Sequence, residues 1–212
     1  MRITEIFHSI QGESTYTGLP CVFVRLTGCN LRCTWCDTEY SFYGGEDVTL
    51  EQVLDRVRSF GTRLVEVTGG EPLLQKEVYP LMERLLGEGY RVLLESSGER
   101  SIAQVPREVV KIVDVKCPDS GEGGTFDPSN LDLLAPHDQV KFVITSRRDY
   151  EFSRDFTRQH NLAARVAAVI FSPVHGGVDL AGMAAWILED RLDVRFGYQL
   201  HKLIWGPEAR GV

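Results

Sequence analysis

Seven short runs of apolar and β-branched residues constrain this chain more than any other feature: 22–26, 64–68, 91–95, 109–113, 140–144, 166–171 and 194–198. Near-continuous apolar character suits strands covered on both faces, as in a parallel sheet. Helical patterns fall between several of them. Thr49-Leu50-Glu51-Gln52 is a capping box, and Val53, Leu54, Val57 and Phe60 follow as one apolar face at helical spacing. Residues 73–86 read as a second helix stopped by Gly87 and Gly89, and Asp179 caps a last helix with Leu180, Met183, Ala184, Ile187 and Leu188 inside. Strands alternating with helices predict an α/β chain with a mainly parallel sheet. A complete eightfold β/α barrel takes about 250 residues, and this chain has 212. Residues 95–109 leave little room for a crossover helix, and 118–136, with Gly121, Gly123 and Gly124, read as loop. The expectation is an incomplete, shortened β/α barrel in a single domain.

Charge narrows the function. Lys plus Arg number 23 against 30 Asp plus Glu, a net charge of −7, so a phosphate-neutralising nucleic-acid binder is disfavoured. No apolar run approaches the roughly 20 residues of a membrane span, and the first residues lack the apolar core of a secretory signal. The expected setting is cytoplasmic, with neither nucleic acid nor membrane as a partner.

Three of the five cysteines lie within eight positions, as Cys29-x3-Cys33-x2-Cys36, directly after the run at 22–26. An odd count clustered in this way is a metal site more often than a disulfide framework. A loop of that length can wrap one corner of an inorganic cluster and aim three thiolates inward. An iron–sulfur cubane normally takes four thiolates, so three would leave one iron open. Zinc is the alternative. It usually takes paired spacings and four ligands; no second pair exists, although Cys21 or Cys117 could complete a set. Spacing alone therefore favours iron–sulfur without excluding zinc, and Cys21 and Cys117 read as ordinary buried residues.

The run at 64–68 ends in Thr68-Gly69-Gly70-Glu71-Pro72, where glycine lets backbone approach a ligand at the strand end that carries function in β/α barrels. Together with the cysteine loop, this turn resembles the radical S-adenosylmethionine (SAM) superfamily. Three further segments narrow the likeness: Ile10-Gln11-Gly12-Glu13, Cys36-Asp37-Thr38 and Gln199-Leu200-His201-Lys202. From Glu5-Ile6-Phe7 to His201-Lys202 the chain resembles the 7-carboxy-7-deazaguanine synthase family. That family contracts a 6-carboxy-tetrahydropterin with release of ammonia, is magnesium-dependent and dimeric, and draws on an external electron donor.

The resemblance implies a role for each matching residue. Cys29, Cys33 and Cys36 would ligate a [4Fe–4S] cluster, and Thr38 would hold Mg2+. Trp35, Cys36, Asp37 and Gly70 would contact SAM, as would Ser97, Asp114, Val115, Lys116, Ser172, Pro173, Val174 and His175. Ile10, Gln11, Gly12, Glu13, Arg25, Thr68 and His201 would border the pterin, with Arg25 meeting its carboxylate bidentately. Arg25 could instead be a strand residue held in a salt bridge. Residues 208–212 extend past the shared pattern and would complete the substrate side or hang free. A glycyl-radical activating enzyme shares the cysteine spacing but would need a large protein partner; the Gln11-Gly12-Glu13 segment and Thr38 argue against it. A non-enzymatic metal-binding module leaves the glycine turn and the polar strand ends unexplained.

Overall fold

The computed structural model describes residues 1–212. The chain opens with β1 (Arg2–Ile10) and β2 (Pro20–Leu26), then β3 (Glu46–Asp47), α1 (Leu50–Ser59), β4 (Leu64–Gly69), α2 (Val78–Gly87) and β5 (Arg91–Ser96). It continues through β6 (Val110–Asp114), α3 (Asn130–Leu133), β7 (Gln139–Ile144), α4 (Arg147–Gln159), β8 (Ala168–Pro173), α5 (Leu180–Glu189), β9 (Arg195–Phe196) and α6 (Leu200–Trp205). One unclosed sheet holds all nine strands in the order β3-β1-β2-β4-β5-β6-β7-β8-β9. From β2 to β9 every neighbouring pair is parallel, whereas β1 runs antiparallel to both β2 and β3. The expected shortened barrel is therefore present, with an antiparallel edge added.

The apolar runs conceal an alternation that decides where the site lies. Val22, Val24 and Leu26 of β2, with Val65 and Val67 of β4, join Val53, Leu54 and Val57 of α1 and Leu81, Met82 and Leu85 of α2 in one core. Val140, Phe142 and Ile144 of β7 pack with Val169 and Phe171 of β8 and Tyr150 of α4 in a second. The intervening residues face the concave side. There Cys21, Leu64, Leu93, Val110 and Ile112 form a small apolar cluster, above which Arg25 pairs with Thr68 and Asp114 with Lys141 across neighbouring strands.

Several expectations are corrected. β1 was not foreseen; it ends at Ile10, and residues 11–19 link it to β2. The expected helix over 73–86 is split into a short 3-10 turn (Pro72–Leu74) and α2. The break falls at Gln75, which is extended (φ −102°, ψ 117°) because its amide bridges the backbone of Arg2 and Thr27. α4 was missed because its buried face includes Asp149, Ser153 and Thr157; Ser146 caps it by accepting from the Asp149 N–H. In α5, Asp179 caps as expected and Met183 and Ile187 are buried, but Leu180 and Leu188 are exposed. Phe60 lies just past α1 and stacks on His8 instead of entering the core. The Thr49/Gln52 capping box forms in full.

Candidate active site

A cavity of about 700 Å³ opens at the C-terminal ends of the parallel strands. Its outer wall is the loop that follows β2. Arg32 ties that loop together by donating to the carbonyls of Cys29 (2.8 Å) and Leu31 (2.6 Å), and the Thr34 N–H reaches Ser120 O at 2.9 Å. Cys29, Cys33 and Cys36 are half-buried, unbridged and aligned on the same cavity. Burial raises the Cys29 thiol and pushes Cys33 up to about 11, against the pull of the Lys116 ammonium. Such thiols shed their protons when a metal takes them, and three soft donors around an open space suit an iron–sulfur cluster. Cys21 and Cys117 are fully buried and apart from the cavity lining.

The glycine turn lies against this loop. A Cβ on Gly70 would sit 2.5 Å from Cys29 Cβ and 2.5 Å from Gly28 O, so only glycine permits the approach. Glu71 does not face the cavity. Its buried carboxylate accepts the N–H of Leu73 (3.0 Å), the N–H and hydroxyl of Ser97 (2.8 and 2.7 Å) and the hydroxyl of Ser96 (3.1 Å), pinning the turn to the end of β5. Burial raises its pKa against those bonds.

Deeper along the wall, Lys116 Nζ donates to Asp114 Oδ2 at 2.7 Å and stands 5.3 Å from the centre of the Trp35 ring. Asp114 Oδ1 and Trp35 Nε1 are buried without a hydrogen-bond partner in the protein. An acceptor and a donor left open beside the cysteine loop are what a bound ribose or amino-acid group can satisfy. Ser97, Ser172, Pro173, Val174 and His175 line the same space. Val115 does not. It is 1% exposed, packed in the second core, and its N–H bonds to Lys141 O, because strand alternation turns it outward between Asp114 and Lys116.

The opposite wall comes from residues 10–13, β2 and α6. Gln11 turns inward: its Oε1 accepts the N–H groups of Glu13 and Ser14, and its Nε2 donates to Glu66 Oε2 at 3.0 Å. Glu13 accepts from Lys141 Nζ and Gln199 Nε2, each at 3.0 Å, with His201 Nε2 at 3.9 Å. Burial opposes its ionisation, yet the Lys141 and His201 charges and these hydrogen bonds bring its pKa down to about 2. Gly12 touches α6 so closely that a Cβ would lie 2.3 Å from His201 Nδ1. Lys202 Nζ reaches Asp37 Oδ2 at 2.6 Å, joining α6 to the cysteine loop.

Arg25 Nε donates to Glu5 Oε1 at 2.8 Å, so the salt bridge anticipated as the alternative is present, while its other guanidinium nitrogens stay open to the cavity. Tyr40 OH shares the same Glu5 oxygen at 2.8 Å. The hydroxyl of Thr38 makes one hydrogen bond, with Cys36 Sγ at 3.7 Å, in which either atom can donate. Residues 207–212 also line the cavity, with the Arg210 guanidinium 4.3 Å above the Tyr40 ring.

Every expected site residue except Val115 borders this one cavity. Sequence reasoning missed Glu5, Tyr40, Glu66, Glu95 and Lys141, which line it too. Lys141 bonds to both Glu13 and Glu95. The available signal was a charge in the middle of an apolar run, as at Glu66 and Lys141.

Residues 23–118 match the family described as the Radical SAM superfamily. A 7-carboxy-7-deazaguanine synthase of Koribacter versatilis is 58% identical over the whole of both chains. One from Chlorobaculum tepidum is 41% identical, over all of this chain and 97% of its own. Among solved structures, QueE from Escherichia coli superposes with a TM-score of 0.75 over 93% of each chain at 23% identity, a likeness of fold.

Proposed function

The chain belongs to the 7-carboxy-7-deazaguanine synthase family of radical SAM proteins, and we propose from that premise that it contracts 6-carboxy-5,6,7,8-tetrahydropterin to 7-carboxy-7-deazaguanine with release of ammonia, a step towards queuosine and other 7-deazapurines. The observation that carries this reading is the single cavity that gathers the cysteine loop, the glycine turn and the Glu13–Arg25 wall.

Cys29, Cys33 and Cys36 would hold a [4Fe–4S] cluster with one iron left for SAM. Bound there, the pair would supply one-electron radical chemistry able to remove hydrogen from an unactivated C–H bond. The backbone of Trp35, Cys36, Asp37 and Gly70 frames SAM, while Asp114 offers its free oxygen to a ribose hydroxyl and Lys116 fixes that carboxylate. Ser97, Ser172, Pro173, Val174 and His175 shape the remaining wall. The core position of Val115 makes it a spacer that sets Asp114 and Lys116 on one face.

The pterin lies against the opposite wall. Glu13, kept ionised by Lys141, accepts the paired N–H donors of the amino-pyrimidine edge. Arg25 turns its free nitrogens to the substrate carboxylate, where a planar guanidinium binds bidentately. Glu5 and Tyr40 hold Arg25 in place. Ile10, Gly12, Thr68 and His201 border the ring, and Gln11 acts from beneath by bracing the Glu13 loop. Thr38 would present a hard oxygen to Mg2+, a cation that suits oxygen ligands and would supply positive charge beside the substrate. Residues 208–212 exclude water from above.

Residues 1–212 form one radical SAM domain, acting in the cytoplasm with an external electron donor. No helix is long and apolar enough to cross a membrane. Leu203, Ile204 and Trp205 of α6 and Leu188 of α5 are exposed apolar residues that pairing of two copies would cover.

The test is an anaerobic reaction of cluster-reconstituted protein with reductant, SAM, Mg2+ and the tetrahydropterin, read by mass spectrometry. The expected result is 7-carboxy-7-deazaguanine and ammonia in equal amounts, falling when Mg2+ is withheld. SAM cleavage without that product would overturn the substrate assignment.

A further inference from the structure

Glu66 has no part in the cluster, SAM or magnesium contacts, yet it is an acid buried at the base of the cavity. It lies on β4 two residues before Thr68, on the same concave face, and is 2% exposed. Its Oε2 accepts from Gln11 Nε2 at 3.0 Å, and no protein donor meets Oε1. The Gln11 amide cannot turn over, because its oxygen already accepts two backbone N–H groups. The nearby ammonium of Lys141 is engaged by Glu13 and Glu95 instead. Three carboxyl groups thus surround one ammonium, and Glu66 is the one without an ion-pair contact.

Ring contraction with ammonia loss needs a group of this kind. Substrate and product differ by one molecule of ammonia, so the overall change requires no oxidant or reductant. It does require two proton movements: the departing nitrogen must gain a proton, and a ring carbon must lose one for the new five-membered ring to become aromatic. Resting on the pterin reading above, we propose that Glu66 is the proton carrier of the ammonia-releasing step. As the C–N bond breaks, its electron pair stays on nitrogen, which takes the carboxyl proton. The ring C–H pair then becomes the new C=C bond, and its proton returns to the Glu66 carboxylate. The residue ends as it began.

The surroundings suit both halves of that cycle. Burial, with the negative charges of Glu95 on β5 and Glu13 in the β1–β2 loop, raises the Glu66 carboxyl to about 8 against the Gln11 bond and the Lys141 charge. A protonated acid at neutral pH can donate. Once it has, Lys141 on β7 is near enough to favour the carboxylate. Cys21 on β2, the remaining titratable neighbour, stays a neutral thiol because burial and Glu66 both raise it.

The experiment uses cluster-reconstituted Glu66→Gln, which keeps an acceptor for Gln11 but carries no transferable proton of acid strength. With ring-deuterated tetrahydropterin, deuterium transfer into SAM-derived species is expected within about threefold of wild type. Product and ammonia should form at least about 100-fold more slowly, with an amine-retaining species isobaric with substrate accumulating. Glu66→Asp should recover at least about tenfold over Glu66→Gln. Product formation by Glu66→Gln within about threefold of wild type would overturn the proposal. So would parallel loss of deuterium transfer and product, or no recovery in Glu66→Asp, each of which assigns Glu66 to packing. Wild-type protein that transfers no deuterium would overturn the pterin reading and this proposal with it.

Discussion

Replacing Lys141 by Met removes the one ammonium between Glu13 and Glu95 while keeping the length of the side chain. Lys141 is 4% exposed, and its own pKa is raised by Glu13 and Glu95 against a burial effect that works the other way. Glu13 is held down to about 2 from an ordinary 4.5, which at about 1.4 kcal/mol per pH unit corresponds to roughly 3 kcal/mol of native-state stabilisation. Breaking a buried pair by deleting one partner costs about 3–5 kcal/mol, so the two routes agree. For a chain of this size, about 3 kcal/mol lowers Tm by roughly 6–12 °C. A carboxylate with a depressed folded-state pKa contributes its full stability above the unfolded value and loses it as pH falls towards the folded one. The gap between wild type and Lys141→Met should therefore be widest at neutral pH and narrow below about pH 5. Urea unfolding followed by circular dichroism at pH 7 and pH 4 measures it, and adding Glu95→Gln should restore part of the loss. A gap below about 1 kcal/mol at pH 7, or one that stays constant on acidification, would show that Lys141 does not stabilise the fold through Glu13.

Two further perturbations test the cavity walls. Gly70→Ala forces a methyl to within 2.5 Å of Cys29 Cβ and Gly28 O, so it should cost about 1–3 kcal/mol and lower the iron retained after reconstitution; unchanged iron content would contradict the close approach. Removing residues 208–212, which include Arg210 over the Tyr40 ring, should raise the KM for the tetrahydropterin several-fold while leaving iron content and Tm nearly unchanged. An unaltered KM would show that the tail is no part of the site.

Much of the cavity was legible in sequence because its chemistry is local. Cys29, Cys33 and Cys36 are fixed by one short loop whose spacing pointed to a metal site, and Gly69-Gly70 by one turn that gained meaning only beside that loop. The Gln11-Gly12-Glu13 and His201-Lys202 segments were legible as motifs. What Glu13 does there depends on Lys141, more than a hundred residues away and adjacent only through strand order. Glu66 and Lys141 were hidden for a related reason. In a strand buried on both faces, the polar residues of the concave face sit inside an apolar run, and periodicity gives no sign of which face they take. The same alternation turns the Val115 side chain into the second core, away from the cavity that Asp114 and Lys116 line. β1 escaped notice because only Ile3 and Ser9 of its nine residues are buried, and α2 begins late because Gln75 spends its side chain on the backbone of Arg2 and Thr27.

In the proposed function, cluster, SAM and pterin meet in one cavity. Deuterium transfer tests it most directly, because all three must lie together for hydrogen to pass from the substrate ring to the SAM-derived 5′ carbon. Wild-type protein given ring-deuterated 6-carboxy-tetrahydropterin under strictly anaerobic, reducing conditions should place deuterium in recovered SAM or 5′-deoxyadenosine, and Cys33→Ala should place none. Product appearing in unlabelled form with no deuterium in either species, or equal transfer by Cys33→Ala, would contradict that arrangement.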